Sequence, residues 1–166
     1  GLIFDLGYTL LDFAESSDIP SVRKRMLSDL VIYLQREARL DIDPNSFTQK
    51  FAEHLAAVES KRRKDLIEYT TRYVLETTFE QLDIELPDTS VLDAALAAYY
   101  AYSETLWKPV PHMHTVLSEL QEKGRPMALI SNAGDDANVQ RQIDEHRLRN
   151  YFDPIIVSAA VGIRKP

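Results

Sequence analysis

The sequence predicts an α/β protein in which a parallel sheet is interrupted by a large, purely helical insertion. Three observations carry that expectation. Short apolar runs, "LIF" before Asp5, "MALI" before Ser131 and "IIV" before Ser158, have the continuous hydrophobicity of parallel strands buried on both faces. The second and third runs alternate with segments of helical periodicity, the pattern of a sheet flanked by helices. Between the first and second runs, residues 14–107 show helical periodicity throughout.

The elements follow in order. "LIF" leads into Asp5 and the turn residues Gly7, Tyr8 and Thr9. Pro20 sits in the first turn of a helix with Val22, Met26, Leu30 and Leu34 at four-residue spacing. Asp43-Pro44 reads as an N-cap with proline at the first helical position, ahead of Phe47, Phe51 and Leu55. A third helix is expected from Lys64 to Leu82, with Leu66, Tyr69, Tyr73, Val74 and Thr77 along one side and Pro87 beyond its end. Asp88 is placed to cap a fourth, carrying Leu92, Leu96, Tyr99 and Leu106. Pro109 and Pro111 in "WKPVPH" read as a stiff connector. A helix over 111–123 then buries Met113, Val116, Leu117 and Leu120 and stops at Gly124. After the "MALIS" strand, "SNAGDD" turns into a helix with Val139 and Ile143 inward, and "YFDPIIVS" brings the third strand.

Composition bounds the function. The 166 residues are 45% hydrophobic and 27% charged, with a net charge of -7. That balance suits a globular protein and argues against a nucleic-acid footprint. The absence of cysteine excludes disulfides, thiolate metal sites and cysteine nucleophiles, and fits a reducing cytoplasm. No apolar run approaches the ~20 residues of a membrane helix. Gly1 already lies inside a strand pattern and the chain stops at "VGIRKP", so a fragment is expected. With the first strand left as an apolar edge, that fragment is expected to be poorly stable and inactive.

In open α/β sheets, ligands bind outside the carboxyl ends of the strands. Asp5, Ser131 with Asn132, and Lys165 fall at such ends or just beyond. A carboxylate is ionised at neutral pH and can act as a nucleophile. Ser131, Asn132 and the N–H groups of the following turn can hold anionic oxygens, and Lys165 can neutralise the charge that gathers there. Taken singly, each has a plainer account: a turn acid, ordinary turn chemistry, a solvated lysine.

Together, "IFDLGYTL", "ALISN" and "GIRKP" resemble the motifs of the haloacid dehalogenase superfamily, the aspartate-nucleophile phosphatases and their relatives. The first motif there is D-x-D-x-T/V at a strand end, the second a strand ending in Ser or Thr, the third a lysine often followed by proline. The resemblance implies a Rossmann-like core, incomplete at its C-terminus, over 1–13 and 108–166, with a helical cap over 14–107. It implies a phosphoaspartyl mechanism: Asp5 as nucleophile, Ser131 and Lys165 holding the transferring group. It further implies Mg2+ bound by the Asp5 carboxylate and the Gly7 backbone carbonyl. Thr9 would support the loop or phosphate site, and Tyr8 would point towards the cap and contact substrate.

The chain departs from the family pattern in two places. The fourth motif, an acidic cluster that completes the metal site, is not present in the sequence. Gly7 stands where the second aspartate usually protonates the leaving oxygen and activates water. General acid catalysis contributes ~100- to 10,000-fold, so simple alkoxides should leave slowly. Halide or an acyl-phosphate carboxylate would suffer less. The expected function is therefore a cytoplasmic phosphatase of a small phosphorylated metabolite. The alternatives are a metal-independent 2-haloacid dehalogenase using the same Asp5, and a phosphate-ester-binding relative without turnover. Family dehalogenases resemble D-x-Y-G-T, whereas here Gly7 and Tyr8 come in the opposite order. His112 and His114 read as a polar helix start, "KRRK" at 61–64 as a solvated face or a patch that draws in anions, and Asp135 and Asp136 as partners of a helix N-terminus.

Overall fold

The computed structural model describes residues 1–14 and 18–166. In chain order its elements are β1 (Leu2–Phe4), β2 (Leu11–Phe13), α1 (Ile19–Ile32), α2 (Pro44–Asp65), α3 (Thr71–Gln81) and α4 (Thr89–Glu104). They continue with β3 (Trp107–Pro109), α5 (Met113–Glu122), β4 (Met127–Ser131), α6 (Asp136–Glu145), β5 (Ile155–Val157) and the single turn α7 (Ser158–Val161). The architecture is mixed α/β, as the sequence predicts. A parallel sheet runs β1-β4-β5, with Phe4 opposite Leu129 and Ser131 opposite Val157.

Side-chain caps set the helix starts. Asp18 accepts the Ser21 N–H at 3.2 Å and Asp43 the Ser46 N–H at 2.8 Å. Thr70 accepts the Tyr73 N–H at 3.1 Å and Asp135 the Asn138 N–H at 2.7 Å. Each satisfies a donor that the first helical turn leaves open. Asp88 occupies the cap position of α4 without a side-chain hydrogen bond.

Two apolar clusters form. One gathers Leu30, Leu34, Phe47, Phe51, Val74, Phe79, Leu96 and Tyr99 from α1–α4 and the turn after α1. The other packs Leu11, Leu117, Leu129, Ile143, Leu148 and Val157 around the parallel sheet. Burial pushes the Tyr99 hydroxyl up to about 12, and the Tyr100 hydroxyl in the same direction. Both stay protonated in the fold, whereas in the unfolded chain they titrate near ~10. Their contribution is therefore complete below pH ~10 and is lost as pH rises beyond it. The urea midpoint should fall between about pH 9.5 and 11.5, and fall less in Tyr99→Phe; equal slopes in both proteins would remove Tyr99 as a cause.

Several expectations change. The "connector" WKPVPH begins with β3, which pairs antiparallel with β2: Leu11 faces Pro109 and Phe13 faces Trp107. Three-residue strands, one ending in a proline without an N–H donor, leave no periodic trace. The third helix starts at Thr71, not Lys64. Leu66 is left-handed at φ 57°, the Asp65 carboxylate accepts the Ile67 N–H at 3.0 Å, and Thr70 caps the new helix. The buried face of α3 is accordingly Thr71, Val74, Leu75, Thr78 and Phe79, while Tyr73 and Leu66 are exposed. Val116 is exposed on α5, and Leu106 lies beyond the end of α4. β1 is an edge strand with Leu2 and Ile3 exposed, since it has β4 alone as a neighbour among the described residues. The start of the helical insertion runs through residues 15–17, which lie outside the described residues.

Candidate active site

Because β1 and β4 are parallel neighbours, their carboxyl ends share one sheet edge. β1 delivers Asp5 there and β4 ends on Ser131, which is buried. Lys165 reaches the same edge from beyond α7: its Nζ lies 2.6 Å from Asp5 Oδ2 and donates to the Ile130 carbonyl at 2.8 Å. Asn132 secures Lys165 by its backbone, with Nδ2 donating to the Lys165 carbonyl and Oδ1 accepting its N–H, both at 2.9 Å. That leaves the Asn132 amide one N–H for a ligand. The second Asp5 oxygen accepts the Leu6 N–H at 2.8 Å. The Asp5 and Lys165 side chains are 40% and 32% exposed, open enough to meet a ligand.

The loop after Asp5 is closed by the Leu10 and Leu11 N–H groups, which both donate to the Leu6 carbonyl, and by the Tyr8 N–H, which donates to the Leu11 carbonyl. Tyr8 adopts φ 59°, a left-handed conformation that costs a non-glycine residue ~1–2 kcal/mol. It is exposed, with its ring edge-on to Trp107 at 5.4 Å. Gly7 sits beneath the same indole: a Cβ there would lie 3.3 Å from the Trp107 ring. The antiparallel pairing of β2 with β3 is what brings Trp107 to this place.

Asp5, Gly7, Tyr8, Ser131, Asn132 and Lys165 together line a cleft of about 370 Å³, joined by Trp107, Asn138 and Gln142. Thr9 is exposed and does not line it, because the turn closed on Leu6 carries it outward. A second cleft of about 500 Å³ shares Asn132 and Lys165 with the first and is lined by Arg23, Arg62, Arg63 and Arg164, with Glu59 among them. Arg62 and Arg63 belong to the "KRRK" run that the sequence offers as an anion-drawing patch, whereas nothing in the spacing of Trp107, Arg23 and Arg164 ties them to Asp5.

"KRRK" is not uniformly solvated. The Arg62 side chain is only 13% exposed, lies 2.8 Å from the fully buried Glu68 carboxylate, and donates to the Tyr69 carbonyl. His112 and His114 do not converge on an ion: His112 is left-handed at the start of α5, and His114 Nδ1 lies 3.3 Å from the Tyr151 hydroxyl. Among the described residues no three His, Asp or Glu side chains gather into a metal cluster. Asp5 and Gly7, the two residues that the sequence reading assigns to a cation, both line the cleft. One carboxylate is a protein donor set of the kind compatible with Mg2+, which is commonly held by one or two carboxylates with substrate phosphate and water filling the rest. No helix among the described residues is long and apolar enough to cross a membrane.

Solved structures share the fold. A 2-haloacid dehalogenase from Pseudomonas syringae pv. Tomato DC3000 aligns with 98% of this chain and 65% of its own, at 18% identity and a TM-score of 0.55. A protein described as a predicted phosphoglycolate phosphatase from Haemophilus somnus 129pt aligns over 99% and 65%, at 16% identity and a TM-score of 0.50. An L-2-haloacid dehalogenase from Xanthobacter autotrophicus, with chloropropionic acid covalently bound, aligns over 99% and 59%, at 21% identity and a TM-score of 0.46. The chain thus spans 59–65% of the length of these structures. No curated protein matches its sequence. The first two likenesses concern the fold. The model of the haloacid dehalogenase-like hydrolases, by contrast, matches residues 41–166, most of the chain. With that match in sequence and an α/β fold shared with solved members, this chain belongs to the haloacid dehalogenase-like hydrolase family.

Proposed function

We propose that this chain is a cytoplasmic hydrolase of small phosphorylated metabolites in which Asp5 is the nucleophile. The observation that carries the reading is the Asp5–Lys165 pair, 2.6 Å apart at the carboxyl edge of the sheet. Asp5 forms a bond to phosphorus as the bond to the leaving oxygen breaks, giving an acyl phosphate; water then displaces Asp5 and frees phosphate. Lys165 and the Ser131 hydroxyl offset the charge on the transferring group, and Asn132 holds Lys165 in register. Tyr8 contacts the substrate from the lip of the cleft, and Thr9 supports the turn behind it. Mg2+, held by the Asp5 carboxylate and the Gly7 carbonyl, would supply further positive charge to the phosphoryl oxygens. The arginine-lined cleft supports an anionic substrate, since it collects cations in a chain of net charge -7. In this proposal the helices α1–α4 act as a cap over the sheet.

Gly7 supports a second reading. With no acid to protonate a leaving group, halide departure from a 2-haloacid is chemically suited to the same Asp5, which would then attack carbon. Leaving-group dependence separates the two. The full protein should release phosphate from 4-nitrophenyl phosphate and acyl phosphates ~100- to 10,000-fold faster than from alkyl phosphates, and only with Mg2+. Chloride release from 2-chloropropionate without Mg2+, with no phosphate release from any ester, would replace the phosphatase reading with the dehalogenase one. Ester binding without turnover would leave a binding protein.

A further inference from the structure

Glu68 lies in the loop between α2 and α3, outside both clefts, with its side chain fully buried. A buried carboxylate is costly unless paired and hydrogen-bonded. Here Oε2 accepts the Ser158 hydroxyl at 2.6 Å and pairs with the Arg164 guanidinium. Arg62 Nε lies 2.8 Å from Oε1, but its N–H points to the Tyr69 carbonyl, so that contact is an ion pair without a directed hydrogen bond.

Both of the well-bonded partners lead to the reacting groups. Ser158 Oγ also accepts the Ala133 N–H at 2.9 Å, which fixes the turn just past Ser131 and Asn132. Arg164 is the residue before Lys165. The surrounding backbone follows the same two routes. The Glu68 N–H donates to the Gly162 carbonyl at 2.9 Å and the Arg164 N–H to the Leu66 carbonyl at 2.8 Å, around an antiparallel bridge of Ile67 with Ile163. The Thr71 N–H donates to the Gly134 carbonyl at 2.7 Å. One loop of the helical block therefore grips residues 133–134 with one hand and 162–164 with the other.

We propose that Glu68 is a positioning residue, which sets Lys165 and the Ser131–Asn132 turn in the geometry that serves Asp5. This inference rests on the proposed function. Reaction rates fall about 100-fold for a ~1 Å misplacement of a reacting group, so a loosened Arg164 and Ala133 should reach turnover through Lys165 and Asn132. Glu68→Gln keeps the shape and removes the charge that holds Arg164. Neither Glu68 nor Ser158 lines the cleft, so the loss should fall on kcat rather than KM.

The test uses the full protein and 4-nitrophenyl phosphate, at a temperature where every variant is folded by circular dichroism. Glu68→Gln should lower kcat by roughly 10- to 100-fold with KM within about twofold, and Glu68→Asp should recover part of it. Combined with Asn132→Ala, the double variant should lose much less than the product of the two single losses, because both act through Lys165. Should Glu68→Gln fail to fold, Ser158→Ala, which cuts only the route to Ala133, should still lower kcat. Wild-type kcat in the folded variants, or strictly multiplicative losses, would overturn the positioning role. Asp5→Asn run in parallel keeps the questions apart: turnover in that variant refutes the nucleophile, whereas an inactive Asp5→Asn beside a fully active Glu68→Gln refutes the positioning role alone.

Discussion

Asp5→Asn should remove turnover by roughly 10,000-fold or more while leaving the fold intact, on the scale seen when other covalent hydrolases lose their nucleophile. The substitution is nearly isosteric. Asp5 is 40% exposed at a strand end, so no core packing depends on it. Its neutral amide cannot attack phosphorus or carbon. It also cannot neutralise the charge of Lys165, which still donates to the Ile130 carbonyl. The freed ammonium should therefore hold inorganic phosphate at least as tightly as in the unsubstituted protein. Two measurements check this: steady-state turnover, and calorimetric titration with phosphate. Turnover within tenfold of the unsubstituted protein would remove Asp5 from the chemistry, whichever substrate is used.

The largest stability effect should come from Phe79→Ala. Phe79 is fully buried in the helical cluster, with its ring 5.4 Å from that of Phe47 in a T-shaped contact. Its carbonyl accepts the N–H groups of Leu82 and Ile84, so the same residue ends α3 and plugs the core. Truncating a buried phenylalanine costs about 3–5 kcal/mol, because lost transfer energy and an unfilled cavity add. For a chain of this size that is a fall in Tm of about 6–20 °C. Val74, also on the buried side of α3, is smaller and should cost less when truncated. A shift under about 3 °C in Phe79→Ala would mean that the cluster collapses around the gap.

Much of this molecule can be read from sequence, for identifiable reasons. β4 is visible because it is a continuous apolar run ending in Ser131, and Asp43-Pro44 marks its helix because a cap and a first-turn proline have local signatures. The meeting of Asp5 and Ser131 at one sheet edge is legible because each follows or ends a short apolar run that forms a parallel strand, and Lys165 joins them from beyond α7. The rest fails where the cause is not local. The break between α2 and α3 has local caps at Asp65 and Thr70, but the contacts its loop makes through Glu68 are with Ser158 and Arg164, 90 and 96 residues away. The β2 and β3 strands are too short to show alternation and pair across the whole helical insertion, so the site of Trp107 has no local signature. Tyr8 was legible as a loop residue, but its left-handed backbone was not, since that conformation is set by the hydrogen bonds that close the loop.

The indole over Gly7 couples two positions far apart in the chain. A Cβ at position 7 would stand 3.3 Å from the Trp107 ring, so the ring must give way slightly before any side chain fits there. Phe13 and Tyr8 both pack edge-on to that ring and brace it. Gly7→Asp should therefore be better tolerated beside a smaller residue at 107 than beside the indole. For anyone redesigning this loop, positions 7 and 107 are one unit.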